Sequence, residues 1–331
     1  MKTKRIVLNK DRDVTLTPYI VTKDKKPTFL ICPGGAYKSC DDSEGIPVAK
    51  TFNDKGFNAF ILRYSVGKHY KWPYPLDDLD QAMAFLADHA NEYSVDADHI
   101  ITAGFSAGGH LVSVAASIAK HKPFAAIQCY GLTARETLAY CAPDAPDASD
   151  LVNLGTRPCF LASSRNDCIV PVFNTTKLMN AFESNYIDYE VHIYGYAYHG
   201  FSVGETAGAA GPLFCSRVGN WVEDCLEWID ELISGRYISI RECAAYNDQY
   251  ASVLSTMNSC KHIFGSKALH KMMRHAFPAQ YLIYTTARKQ IGEFLDTVSL
   301  RNLFQLIKVS DKTIEKMDDA LSVFPIERSL R

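Results

Sequence analysis

Along roughly the first two-thirds of the chain, short apolar runs alternate with stretches whose apolar residues recur every three or four positions. The runs are DVTLTPYI (13–20), TFLIC (28–32), NAFILRY (58–64), HIITAG (99–104), FAAIQCYG (124–131), CFLASS (159–164) and YEVHIYG (189–195). They are rich in β-branched and aromatic residues, and the central ones are apolar on both faces, which predicts strands covered on each side. Helical spacing occupies 43–55, 75–91, 106–120, 171–185 and 216–233. Strand–helix alternation of this kind predicts an α/β fold with a doubly wound, mostly parallel sheet. The Pro/Asp-rich stretch from Leu132 to Pro158, with PDAPDASD at its middle, reads as an insertion over the C-terminal edge of the sheet, where ligands bind in such folds. From about Gly235 the strand signals stop, and helical periodicity runs through 238–324. Ser310 fits an N-cap before DKTIEKMDDAL, and Pro278 fits a helix start. The expected division is residues 1–235 as an α/β domain and 236–331 as a smaller all-α domain of four or five helices.

Composition narrows the class. Of 331 residues, 47% are hydrophobic and 22% charged, enough to bury a sizeable core. A formal charge of −2 gives no electrostatic reason for a nucleic-acid partner. No stretch approaches the roughly 18–20 apolar residues of a membrane span. The basic start, Met1 to Arg5, leads into IVLNKDRDVTL without an apolar core or small-residue cleavage site, so no signal peptide is expected. The ten cysteines form no CxxC pair and match no zinc spacing. Cys32 and Cys129 lie inside apolar runs, where a thiol behaves as a small hydrophobe. Reduced thiols and a cytoplasmic location follow as expectations.

The chemistry starts at Gly104-Phe105-Ser106-Ala107-Gly108, a G-x-S-x-G sequence between the apolar run HIITAG and the helical stretch AGGHLVSVAASIAK. A serine on a tight strand-to-helix turn needs small neighbours two residues away, and the helix start offers an N–H to an oxyanion. Such a serine requires a base and an orienting acid, in chain order Ser, acid, His. Asp167 follows CFLASS in SRNDCIVPV, and His199 follows YEVHIYG in YAYHGFS, both in loops after late strands. Asp188 at a helix-to-strand turn, and Asp144, Asp147 and Asp150 in the insertion, read as surface-loop carboxylates. His192 is mid-strand and His110 sits in the body of the elbow helix, so both read as structural. Ser106, Asp167 and His199 are therefore the candidate catalytic triad. Cys32-Pro33-Gly34-Gly35-Ala36-Tyr37 ends an early apolar run, and its glycines offer backbone N–H groups beside that of Ala107. Gly34, Gly35 and Ala107 are the candidate oxyanion hole. Tyr37, Phe105 and Tyr198 read equally well as pocket wall or as core.

PGGAY, EGIPVAKTFNDKGFNAFILRY, YPLDDLDQA, GFSAGGHL, NDCIVPV and YHGF together resemble the α/β-hydrolase family of bacterial acetyl esterases. That family includes acetyl-xylan esterases and relatives of the hormone-sensitive-lipase type. The resemblance covers roughly residues 25–233 and does not extend into the helical region. It implies the same triad, no cofactor or metal, and a small ester of a short acyl group, acetyl above all, on a sugar. Two departures stand out. Pro33 occupies the position of the family's His, and Ala36 that of its third glycine, which leaves open whether Gly34, Gly35 or Ala36 donates to the oxyanion. Glu44-Gly45 and Asp78 belong to the resemblance and read as loop and helix-start structure. An arylformamidase shares the Gly-Gly-aromatic loop and S-A-G elbow and is the alternative enzyme, with a peptidase of the same fold behind it. A non-catalytic binding protein on this scaffold is the alternative of another class. The helical region is open to homo-oligomerisation, partner docking or simple packing.

Overall fold

The computed structural model of the chain describes residues 4–204 and 216–324. Its strands are β1 (Ile6–Asn9), β2 (Val14–Tyr19), β3 (Lys26–Cys32), β4 (Ala59–Arg63), β5 (Val95–Phe105), β6 (Ala125–Cys129), β7 (Cys159–Ser164) and β8 (Tyr189–Tyr194). They form one sheet in the order β1-β2-β4-β3-β5-β6-β7-β8. The two pairings that involve β2 are antiparallel, and the rest are parallel. β6 and β7 are buried at every residue, which is why their sequences are mostly apolar and show no inside–outside alternation. β1 is an eighth strand that the apolar pattern does not mark: it is a four-residue edge strand, mostly half-buried.

The helices of this unit are α1 (Ile46–Asp54), α2 (Tyr74–Asp88), α3 (Ala90–Tyr93), α4 (Ala107–Ile118), α5 (Arg135–Leu138), α6 (Phe173–Ser184) and α7 (Trp221–Ser234). α1 and α7 pack on one face, where Phe52 stacks on Phe29 with ring centroids 3.8 Å apart and Trp221 meets Phe105 edge-on. α2 and α4 cover the opposite face through Leu79, Leu86, Leu111 and Val112 against Leu30 and Leu62. α6 adds Leu178 and Phe182 against Val114 and Leu161. Each such side chain contributes on the order of 1.5–3 kcal/mol by leaving water. Two apolar faces thus bring the C-terminal ends of β3, β5, β7 and β8 to one rim, and the loops that follow these strands carry the candidate residues.

The insertion from Leu132 to Pro158 contains α5 and a 3₁₀ turn at Ser149–Leu151. Asp147 within it departs from the surface-loop expectation. It is 1% exposed and accepts the Arg135 and Ser149 amides at 2.7 and 2.9 Å and Lys177 Nζ at 2.8 Å. A carboxylate with three donors can be buried, and here it staples the insertion together. Asp144 likewise accepts from the Tyr70 hydroxyl and the Trp72 amide.

The chain divides into two compact units between Tyr237 and Ile238. The second is helical: α8 (Ala244–Tyr250), α9 (Cys260–Ile263), α10 (Lys267–Ala276), α11 (Pro278–Ile291), α12 (Phe294–Thr297), α13 (Leu300–Leu306) and α14 (Asp311–Leu321). These seven exceed the expected four or five because α9 and α12 are single turns with no period to read. Ser259, Ser266 and Ser299 each accept an amide of the first turn they precede. Pro278 is the first residue of its helix, and Ser310 stands at an N-cap position with its hydroxyl on that of Thr313. The unit has its own core, in which Phe264 stacks on Tyr284 at 3.6 Å. Among the described residues no helix is long and apolar enough to cross a membrane.

Candidate active site

Ser106 stands between β5 and α4 with φ 51° and ψ −114°, a region that costs an L-residue on the order of 1–3 kcal/mol. The glycines on either side make the turn possible by lacking a Cβ. A Cβ at Gly104 would lie 2.1 Å from the Gly108 carbonyl oxygen, and one at Gly108 would lie 1.8 Å from that of Cys32. The Ser106 amide donates to the Cys129 carbonyl at 3.0 Å, and its carbonyl accepts the His110 and Leu132 amides, so the turn is pinned from both sides.

The loops after β7 and β8 bring Asp167 and His199 to this serine. His199 Nε2 lies 2.9 Å from Ser106 Oγ, and His199 Nδ1 lies 2.7 Å from Asp167 Oδ2. Since the carboxylate only accepts, Nδ1 donates to it and Nε2 is left to accept from the hydroxyl. Asp167 Oδ1 accepts the Ile169 and Val170 amides at 2.9 and 2.8 Å, which fixes the carboxylate from behind. The Asp167 side chain is 1% exposed and that of His199 is 17% exposed, so the pair is shielded while the serine faces a cavity. That cavity has a volume of about 580 Å³, and its wall includes Gly35, Ala36, Glu44, Thr137, Tyr140 and Ile169.

The loop after β3 approaches the serine from the other side. Gly35, Ala36 and Tyr37 follow one another with φ of 128°, 54° and 57°. Gly35 and Ala36 line the cavity with Ser106, and the amides of Gly35, Ala36 and Ala107 make no hydrogen bond among the described residues. Gly34 is a correction to the expected oxyanion hole. Its N–H donates to Glu44 Oε2 at 2.7 Å, so that amide is already committed.

Glu44 is the residue that the sequence reading assigns to loop structure and leaves out of the chemistry. It is 4% exposed, and it faces the cavity beside His199. Burial pushes its carboxyl up from the ordinary range, against the Gly34 amide, the Tyr130 hydroxyl and His199, which pull it down. No local pattern marks it, because an acidic residue in a polar loop normally faces water.

The other candidates lie apart from the reacting groups. His192 on β8 stacks on Phe160 and contacts Glu190 at 2.7 Å and Asp224 at 3.5 Å. His110 is fully buried, and burial lowers it to about 4. Its Nε2 donates to the Pro146 carbonyl at 2.8 Å, so Nδ1 accepts from the Tyr37 hydroxyl at 2.6 Å and ties the glycine loop to α4. Tyr37 and Phe105 are core, and Tyr198 is 42% exposed. The aromatic on the cavity wall is Tyr140, 88% exposed. Asp78 is fully buried against Arg12 and the Ser65 amide and hydroxyl.

Among the described residues no group of three or more His, Cys, Asp and Glu side chains is placed to hold a metal ion. The nine described cysteines are free thiols. A further cavity of about 630 Å³ in the second unit is lined by Cys260, Phe264, His270 and Arg288. Burial pushes the Cys260 thiol up to about 12, away from nucleophilic use.

The family model described as BD-FAE matches residues 16–138. Endo-1,4-beta-xylanase B of Butyrivibrio fibrisolvens is 29% identical over 212 residues, 54% of this chain and 33% of that protein. The chain spans a third or less of the length of the curated relatives it matches. Among solved structures, MGS-M1, an α/β-hydrolase enzyme from a Medee basin deep-sea metagenome library, is 32% identical with a TM-score of 0.65. The match covers 71% of this chain and 98% of that one. The acetyl ester-xyloside bifunctional hydrolase of Caldicellulosiruptor lactoaceticus is 25% identical with a TM-score of 0.61, over 70% of this chain and 96% of that one. With the strand order and the serine turn already described, these matches show that the chain belongs to the α/β-hydrolase esterase family.

Proposed function

We propose that the protein is a serine carboxylic ester hydrolase acting on short acyl esters, acetyl above all, carried by sugars or oligosaccharides. The observation that carries this reading is the unbroken hydrogen-bonded chain Ser106–His199–Asp167 opening on a cavity. In the proposed cycle His199 takes the Ser106 proton as Oγ attacks the ester carbonyl, and Asp167 holds the imidazole in the accepting tautomer. The Gly35 and Ala107 amides receive the oxyanion. The alcohol leaves with the proton from His199, and water then repeats the sequence on the acyl-enzyme.

The sugar leaving group is supported by the wall of the cavity. Exposed Tyr140 offers an aromatic face, while Lys38, Asp41 and Thr137 offer polar contacts at the same opening. The hydrolase from Caldicellulosiruptor lactoaceticus, by its description, acts on acetyl esters and xylosides. We assign catalysis to the first unit and propose homo-oligomerisation or partner docking for the second, in a reducing compartment such as the cytoplasm, which suits nine free thiols.

The test is hydrolysis of p-nitrophenyl acetate, butyrate and octanoate by wild type and Ser106→Ala. Wild-type turnover should fall with acyl length, and the variant should lose on the order of 10⁶ in kcat. Retention of a tenth of the activity by the variant would sink the assignment. Comparing an acetylated xylo-oligosaccharide with N-formylkynurenine then separates the sugar esterase from the arylformamidase.

A further inference from the structure

Glu44 joins the two loops that the proposed reaction needs. Its Oε2 takes the Gly34 amide at 2.7 Å, at the root of the loop that carries Gly35. The Tyr130 hydroxyl also acts on this carboxyl and pulls its pKa down against burial. The Tyr130 oxygen in turn receives the Ser202 amide at 3.0 Å, and Ser202 Oγ donates back to the Ser43 carbonyl at 2.9 Å. The Ser202 carbonyl accepts Trp221 Nε1 at 2.8 Å, which anchors the circuit to α7. One buried carboxylate thus ties the oxyanion loop to the segment that carries His199.

The same carboxylate faces the base. A Cβ built at Gly200 would lie 3.8 Å from Glu44 Oε1, and the Tyr130 ring sits 5.0 Å from the His199 ring. The charged and titratable groups coupled to Glu44 are Asp41, Tyr64, Cys129, Tyr130 and His199, and of these only His199 can take up a positive charge. At 4% exposure solvent screens this attraction little. The loop itself needs holding: Ala36 and Tyr37 are non-glycine residues at positive φ, and such strain persists only where surrounding contacts over-determine it. The His110–Tyr37 hydrogen bond holds one end. Glu44 holds the other.

We propose that Glu44 is a positioning residue that sets the oxyanion loop through Gly34 and faces the positive charge that His199 takes on as it receives the Ser106 proton. The proposal rests on the serine-hydrolase reading above. Glu44→Gln keeps the size and one acceptor oxygen but removes the charge. Glu44→Ala removes the hold on Gly34 as well. The full-length protein and both variants are compared for kcat and KM on p-nitrophenyl acetate, and for the rate at which a fluorophosphonate labels Ser106. Labelling needs the base and the oxyanion site but no particular ester.

Glu44→Gln should lower kcat and the labelling rate about 10-fold with KM within about twofold. Glu44→Ala should approach the 10²–10³-fold loss of a missing oxyanion donor. A purely architectural role would lower the melting temperature and leave kcat per labelled serine unchanged. If both variants label and turn over within twofold of wild type, the proposal is overturned while the serine-hydrolase reading stands. Should Glu44→Ala fail to fold, Glu44→Gln decides alone. If wild type hydrolyses no ester yet labels, the labelling rates decide the role of Glu44. If wild type neither turns over nor labels, both readings fall together.

Discussion

His110 makes the first unit acid-sensitive in a way that can be isolated. Burial holds its folded pKa at about 4, against an ordinary value near 6.5, because the ring has no water to solvate a charge; the hydrogen bond to the Pro146 carbonyl and nearby Asp147 only partly oppose this. The folded pKa is the lower one, so the unfolded chain binds the proton first. The stabilisation is whole above the unfolded pKa and drains away as pH falls from 6.5 towards 4. At 1.36 kcal/mol per unit the full loss is about 3 kcal/mol, of which about 2 kcal/mol is gone by pH 5. Other carboxylates titrate in this window too, so the quantity to follow is the difference between wild type and His110→Gln. The glutamine does not titrate. All three tryptophans, Trp72, Trp221 and Trp228, lie in the first unit, and the Trp72 ring is 5.6 Å from that of His110. Urea unfolding followed by tryptophan fluorescence therefore reports this unit. The stability gap should narrow by about 2 kcal/mol between pH 8 and pH 5. A gap that stays constant over that range would refute the reasoning.

Asp78→Ala should cost about 3 kcal/mol, since it strips a fully buried carboxylate from Arg12 and from the Ser65 amide and hydroxyl and leaves the cation without its partner. The urea midpoint measured by the same fluorescence checks this, and a shift under about 0.5 kcal/mol would contradict it. Truncation after Tyr237 should leave kcat/KM on p-nitrophenyl acetate within about threefold, because the core clusters of the first unit and that of the second share no residue. Light scattering on the same protein tests the assembly role: loss of a dimer mass on truncation supports it, and an unchanged mass removes it.

Much of the fold was legible because both faces of the sheet are buried. Runs such as FAAIQCYG and CFLASS bury even their polar residues, Gln128, Ser163 and Ser164, so they show no inside–outside alternation, and the intervening helices are amphipathic enough to show their period. What escaped had too little length or too little contrast. β1 is four residues on an edge, and α9 and α12 are single turns. Asp147 was misread for a different reason: a Pro/Asp-rich stretch looks solvated, yet three donors converge on that one carboxylate.

The serine turn was legible because its spacing is a steric requirement. With a Cβ at Gly104 or Gly108 the backbone would overlap itself, so the pattern must be written in adjacent residues. Chain order then pointed to Asp167 and His199 without any distance being known. The choice between Gly34 and Gly35 was not legible, since both could turn an N–H towards a carbonyl. Glu44 separates them by taking the Gly34 amide, and it reaches Tyr130 and the His199 loop across folds of the chain that no local window spans. His110, Asp78 and Asp147 work in the same manner, each a polar letter whose partners come from elsewhere in the sequence. A buried ionisable side chain is tolerated only with partners in place, so its role is a property of the assembled tertiary structure. Groups that react must sit at spacings dictated by covalent geometry, whereas groups that hold them in place need only arrive there when the chain folds. That difference is why the proposed triad could be picked out from the chain alone while the role proposed for Glu44 could not, and why variants of Glu44 are the informative ones to make after Ser106→Ala.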